Sequence, residues 1–347
     1  MPRRQVVLAL VLSTLILGSV VGYLGIGAYV YGQVTATVEG CGAHDENEPD
    51  AFWVHLYDGS RSTFNTTPFH MNGTETVRID VPDEDVELDA WWKAGEEGMP
   101  AVIVVHGIRS CKRNHEVLLP ASMLSDAGYS VLMLTLRENG DSTRIDGQFD
   151  GGITEYRDII AAWSWINATH GVPSDRIGAV GGSGGAAIVA WAMHNEPGIT
   201  AGFLDSSWYD FERLMDEELA HNGFPSFLGP AAIRYGILAT GEDLTSNPPS
   251  ALVQDVGDRS IFIHGNVPDQ RIRVHHAHDL WSAANASVSD AGFVDGWISD
   301  VTHPESLDVG PYDHLVSMFV ASDRYRTELV GFFDTAFSLD PTIMRPG

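Results

Sequence analysis

Lysine is almost missing from this 347-residue chain. Lys93 and Lys112 are the only two, and 20 lysines plus arginines face 47 aspartates plus glutamates, for a net charge of −27. Such a field repels phosphate backbones and anionic surfaces, which excludes a nucleic-acid partner held by charge. A lysine-poor acidic surface fits a protein kept soluble in high salt, although an ordinary acidic secreted protein shows the same sign. Cysteine is also scarce. Cys41 and Cys111 make no disulfide framework of the kind that holds small secreted domains together, and either pair in an oxidising compartment or stand as separate thiols. No small-residue lipobox precedes Cys41, so lipidation there is set aside. The chain shows no internal repeat, which removes solenoids and arrays.

Apolar residues make up 44% of the chain, enough to bury one large core. Near the N-terminus, Arg3 and Arg4 precede an uncharged run from Val6 to Tyr31. A bilayer core needs about 20 apolar residues, so the run is long enough to span. A cleaved signal usually has an apolar region of about 7–15 residues, and Val34-Thr35-Ala36 makes only a passable cleavage site. Residues 1–31 are therefore read as a retained anchor and 32–50 as a polar linker. The arginines before the span and the acidic stretch from Glu39 to Asp50 after it place the remaining chain on the extracytoplasmic face.

From Thr76 to Val81 and from Val86 to Trp91 apolar and polar residues alternate, as in half-buried antiparallel strands. Beyond Pro100 the pattern changes to continuous runs: Ala101 to Val105, Ser130 to Leu134, Ile177 to Val180, Ala201 to Leu204 and Ser260 to Ile263. Such runs suit central strands covered on both faces. Helical stretches at Leu118 to Ala127 and Glu155 to Thr169 separate them, which predicts an α/β protein with a mostly parallel sheet. Residues 51–347 form that domain. The gap between Leu204 and Ser260 is too long for a plain connection. Its helical runs, Asp210 to Ala220 and Gly229 to Leu238, predict a lid insertion over about 206–255. The lid's Trp208, Phe211, Phe224, Phe227 and Leu228 suit core packing first and an acyl pocket second.

Between a buried run and the helix-like Ala186 to Met193 lies Gly181-Gly182-Ser183-Gly184-Gly185. A glycine-rich turn would give the same five residues. A strand, Gly-x-Ser-x-Gly and helix in that order is the nucleophile-elbow pattern, in which a strained turn holds the serine hydroxyl out of the sheet. The Gly184 N–H then sits at a helix N-terminus, suited to a developing oxyanion. The second oxyanion donor is expected at the Ile108 N–H, in Val105-His106-Gly107-Ile108, with His106 fixing the loop. The acid is expected at Asp269, after the last long apolar run, with Asp205 as the alternative. Fourteen histidines compete for the base. His314, before the closing helix around Tyr325 to Phe333, is preferred, and His303 is its rival. His275, His276 and His278 with Asp279 read as a solvated helix face rather than a metal site, because no second ligand motif accompanies them.

Together, His106-Gly107, Arg137 to Ser142, Gly181 to Gly185, His264-Gly265 to Asp269 and the late His314 resemble the α/β-hydrolase fold superfamily. Within it they are similar to membrane-anchored esterases and serine aminopeptidase-like hydrolases. The resemblance covers about residues 75 to 338 and the order Ser, Asp, His agrees with it. It implies two-step acyl transfer through Ser183, His314 and Asp269, with Ile108 and Gly184 as the oxyanion hole and no metal or organic cofactor. Small acyl esters, thioesters or short peptides are the implied substrates, and a catalytically silent binding module is the non-enzymatic alternative. Two departures stand out. Asp290 to Pro311 reads as an insertion between acid and base, and Glu138-Asn139 occupies a small-residue position of a turn taken as structural.

Overall fold

The computed structural model describes residues 3–221, 223–241, 243–246, 248–307 and 312–339. The chain opens with α1 (Arg3–Thr35), long and apolar enough to cross a membrane. Two strands follow, β1 (Glu75–Asp80) and β2 (Glu87–Lys93), then β3 (Ala101–Val105), α2 (His115–Asp126) and β4 (Ser130–Leu134). Next come α3 (Tyr156–His170), β5 (Ile177–Gly182), α4 (Gly184–Asn195) and β6 (Ala201–Asp205). The lid carries α5 (Phe211–His221), α6 (Gly229–Ala239) and the short α7 (Ser250–Val253). The domain closes with β7 (Ser260–Asn266), α8 (Val274–Ser287), β8 (Phe293–Ser299), α9 (Ser317–Val320) and α10 (Ser322–Ala336).

The eight strands form one sheet in the order β1-β2-β4-β3-β5-β6-β7-β8. β1 and β2 run antiparallel at one edge, and the strands from β4 through β3 to β8 are mutually parallel. Alternation along each strand divides the core. Ile103 and Val105 face α3 and α4, whereas Val102 and Val104 face α2 and α10. This double cover is why the central strands carry continuous apolar runs. β3 pairs with β4 on one side and β5 on the other, so successive connections leave in opposite directions there. The carboxyl ends of β3 and β5 therefore border the crevice where open α/β sheets take their ligands.

Two expectations change. The segment read as an insertion between acid and base contains β8, which pairs in parallel with all of β7. Its Asp295 and Gly296 and its half-exposed edge position hide it from a search for apolar runs. Residues 308–311 of that segment lie outside the described residues. The stretch 32–50, read as a linker, is stitched to the body. α1 runs unbroken through Thr35, whose carbonyl accepts the Phe149 N–H at 2.6 Å, and the Thr37 N–H donates to Gly147 at 3.1 Å. Cys41 is disulfide-bonded to Cys111, and the Asn47 amide donates to the carbonyls of Trp53 and Arg113. Pairing that runs through backbone groups leaves no hydrophobic period in the sequence.

Candidate active site

Ser183 joins β5 to α4 at φ 55°, ψ −122°, a region that non-glycine residues avoid. The turn is tight. A Cβ on Gly181 would lie 2.4 Å from the Gly185 carbonyl, and one on Gly185 would lie 2.4 Å from that of His106. Both positions therefore exclude a side chain. The Ser183 N–H donates to the Asp205 carbonyl at 2.8 Å, tying the elbow to β6.

The loop after β3 lies against the same turn. A Cβ on Gly184 would be 3.2 Å from the Ile108 backbone nitrogen, so the two expected oxyanion amides belong to neighbouring backbones. His106 is buried and holds this loop. One ring nitrogen, Nδ1, donates to the Gly107 carbonyl at 2.7 Å while Nε2 accepts the Leu136 N–H at 3.0 Å. Burial lowers its pKa to about 4, so it stays neutral.

Asp269 follows β7 and is buried. Its Oδ1 accepts the backbone N–H groups of Arg271 and Ile272 at 2.9 and 3.0 Å, and its Oδ2 lies 2.7 Å from His314 Nδ1. Facing a carboxylate, Nδ1 carries the proton, which leaves His314 Nε2 as the basic nitrogen. Nε2 is buried and has no hydrogen-bond partner among the described residues, the Ser183 hydroxyl included. Asp313 and Leu315, at φ 48° and 57°, turn the chain sharply around His314. The Leu315 side chain comes within 3.2 Å of the Cβ position of Gly182, which packs the histidine loop against the elbow.

The alternatives are engaged elsewhere. Asp205 binds His264 Nδ1 at 2.6 Å and accepts from the Tyr325 hydroxyl at 2.9 Å. Burial alone would raise its pKa, but His264 and these hydrogen bonds hold it below the ordinary carboxylate value. His303 pairs through Nδ1 with Asp313 at 2.6 Å. The turn from Arg137 to Ser142 is structural. Arg137 is held by Asp158 and Glu84, and Glu138, at φ 65°, accepts the Ile145 and Gly147 N–H groups at 2.8 and 2.7 Å.

The histidine group on α8 differs from expectation: His276 is fully buried, and only His278 is exposed. Glu217 of α5 reaches His275 Nε2 at 2.8 Å and His276 Nε2 at 3.4 Å. Three such groups converge as metal ligands do. However, His276 Nδ1 accepts the Tyr209 N–H at 3.1 Å, so its Nε2 carries the proton and has no lone pair for a metal. The lid is joined to α8 by the Tyr209–His276 hydrogen bond and by the Arg213–Asp279 ion pair.

Glu116, in the first turn of α2, was not singled out from the sequence. Its position after the N-cap Asn114 reads as ordinary helix capping. Its buried carboxyl accepts the Gly107 N–H at 3.2 Å and lies within 3.5 Å of the Cβ position of that glycine. Burial raises its pKa against the opposing pull of Ser110, Gly107 and His314.

Ser183 opens into a cavity of about 420 Å³ whose wall is mixed, with Ile108, Trp208, Phe211 and Met215 beside the charged Arg109, Glu218 and Arg271. The lid's large apolar residues divide. Trp208, Phe211 and Leu228 are buried in the core, whereas Phe224 and Phe227 are exposed.

Comparison with known proteins agrees with this architecture. The esterase Pf2001 of Pyrococcus furiosus superposes with a TM-score of 0.60 at 18% identity, over 82% of this chain and 98% of that one. The alpha/beta hydrolase GrgF from Penicillium sp. sh18 gives a TM-score of 0.55 at 13% identity, over 77% and 100%. This chain is an α/β hydrolase by fold. Within it, residues 117–228, from α2 through the elbow into the lid, match the prolyl oligopeptidase family. The acylaminoacyl peptidase of Pyrococcus horikoshii resembles this chain with a TM-score of 0.50 at 15% identity, over 76% of this chain and 41% of that one. No curated protein matches its sequence.

Proposed function

We propose that this chain is a serine hydrolase that cleaves a carboxylic ester or thioester through Ser183, His314 and Asp269. The observation that carries the reading is the buried, unpartnered His314 Nε2, on a ring oriented by Asp269 and on a loop packed against the strained Ser183 turn. His314 takes the Ser183 proton as Oγ attacks the carbonyl carbon, and the amides of Ile108 and Gly184 stabilise the oxyanion. Collapse breaks the bond to the leaving oxygen or sulfur, which receives the proton from His314. Water then attacks the acyl-enzyme, giving its proton to His314 and returning Ser183 with release of the carboxylic acid.

The cavity wall pairs the apolar Ile108, Trp208, Phe211 and Met215, which suit an acyl group, with the charged Arg109, Glu218 and Arg271. Short peptides share the chemistry and are the second reading, supported by the prolyl oligopeptidase match. We read α1 as a retained anchor, because its last turns are buried in the body and a cleaved signal would remove them. The Cys41–Cys111 disulfide and the arginines before the span support an extracytoplasmic domain. A fluorophosphonate probe should label the full chain, and Ser183→Ala should abolish labelling. p-Nitrophenyl acyl esters should be cleaved in preference to aminoacyl-anilides. An unlabelled wild-type chain would sink the enzymatic reading.

A further inference from the structure

The cavity over Ser183 is an electrostatic exception in this chain. Acidic side chains outnumber basic ones 47 to 20, yet among the described residues the charged groups lining the cavity are Arg109, Arg271 and one carboxylate, Glu218. Two cations against one anion leave a local excess of positive charge inside a negative field. Both arginines are placed by the backbone of the proposed machinery. Arg109 directly follows Ile108, whose amide is a proposed oxyanion donor. Arg271 lies two residues beyond Asp269, and its backbone N–H donates to Asp269 Oδ1 at 2.9 Å. The two side chains thus reach the cavity from the oxyanion loop and from the acid loop.

Structural duties account for these arginines only in part. Arg109 Nε donates to the Ala36 carbonyl at 2.8 Å and Nη2 to that of Gln33, which satisfies carbonyls left open at the end of α1. Those carbonyls orient the guanidinium but bring no full charge to cancel it. Nη1 donates to no described residue, and no carboxylate among the described residues forms an ion pair with Arg109. Elsewhere arginines meet carboxylates directly, as Arg137 meets Asp158, Arg113 meets Glu48 and Arg326 meets Asp126. Glu218 is paired with Arg271 at 3.4 Å, so one carboxylate serves both cavity cations. Burial, then the charge of Arg271, lowers the Arg109 pKa against the weaker pull of Glu218. Both guanidinium groups stay charged at neutral pH and repel each other unless an anion joins them. A carboxylate fits the planar fork of arginine, and the apolar Ile108, Trp208, Phe211 and Met215 suit the hydrocarbon between it and a scissile carbonyl.

We propose that Arg109 and Arg271 form an anion subsite beside Ser183, and that the substrate is an ester or thioester carrying a carboxylate held between the two guanidinium groups. This inference rests on the serine-hydrolase reading and adds the substrate class. The test uses the full chain in phosphatidylcholine vesicles, with fluorophosphonate labelling and two pairs of esters matched in size. Mono-p-nitrophenyl adipate against the p-nitrophenyl ester of adipamic acid places the charge on the acyl side. 4-Carboxyphenyl butyrate against 4-carbamoylphenyl butyrate places it on the leaving group. Labelling at Ser183 is expected, with kcat/KM for the carboxylate at least tenfold above that for its neutral amide in one pair, which identifies the side. Arg271→Gln and Arg109→Gln should each lower that ratio at least fivefold. Labelling with a ratio of one or less in both pairs overturns the subsite and leaves the serine hydrolase standing. So does a ratio that neither substitution moves, or faster cleavage of p-nitrophenyl 6-aminohexanoate, which would give the cavity to Glu218 and a cationic substrate. Absence of labelling in the wild type removes both readings. If Arg109→Gln releases α1 and does not fold, Arg271→Gln and the wild-type ratios still decide.

Discussion

Ser183 occupies φ 55°, ψ −122°, a backbone state that costs about 1–3 kcal/mol for a residue with a Cβ. Glycine adopts such angles without that cost. Ser183→Gly should therefore be more stable than Ser183→Ala by about 1 kcal/mol, read from chemical denaturation, although both lose turnover. Equal stabilities would mean that the elbow is not strained. The base assignment has a similar test. His314 Nδ1 is held by Asp269, whereas His303 is spent on Asp313, the residue before His314. His314→Ala should cost several orders of magnitude in kcat, and His303→Ala about tenfold or less, through the loop it supports. The reverse order would transfer the role to His303. The proposed serine, oxyanion positions and acid can be placed from the sequence because each follows a recognisable buried run. The histidine was not uniquely legible, since choosing between 303 and 314 depends on which carboxylate each ring meets. Glu116 was hidden for another reason: an acidic residue in a first helical turn needs no function to explain it.

At the scale of elements, continuous apolar runs found every central strand, because burial on both faces removes alternation. β8 escaped because an edge strand covered on one side tolerates Asp295 and Gly296. Helix periodicity alone does not show that α5 of the lid covers the α8 histidines and buries His276. That cover has a measurable consequence. Burial, then the neighbouring His275 and Arg213 charges, lowers the His276 pKa from 6.5 to about 3. Between those values the unfolded chain binds a proton that the folded lid clamp refuses, so stability rises with pH across the window and is lost as pH falls from about 6.5. His276→Asn keeps an acceptor for the Tyr209 N–H and removes the titration. Its stability should fall less steeply between pH 6.5 and 4, by up to about 1 kcal/mol per pH unit, in urea unfolding curves. An unchanged slope would show that His276 takes up its proton in the folded state.

For the whole molecule, charge is the dominant constraint. With 47 acidic against 20 basic side chains, the folded chain works against its own repulsion, and the buried cations are already committed. Lys112 sits with Asp89 and Arg137 with Asp158, leaving the acidic surface short of partners. Salt shortens the Debye length from about 10 Å at 0.1 M to about 3 Å at 1 M, which removes repulsion between surface carboxylates but barely touches pairs this deeply buried. Added salt should therefore stabilise the fold, where an evenly charged protein would show little change. Tm of the full chain in vesicles should rise steadily from 0.1 to 2 M KCl, with most of the gain below 1 M, where screening changes fastest. Preferential exclusion of salt from apolar surface would instead give a gain that continues linearly and is much larger with sulfate than with chloride. A Tm independent of KCl would mean that the charge excess is spread too thinly to strain the fold, and that the acidic surface serves solubility alone.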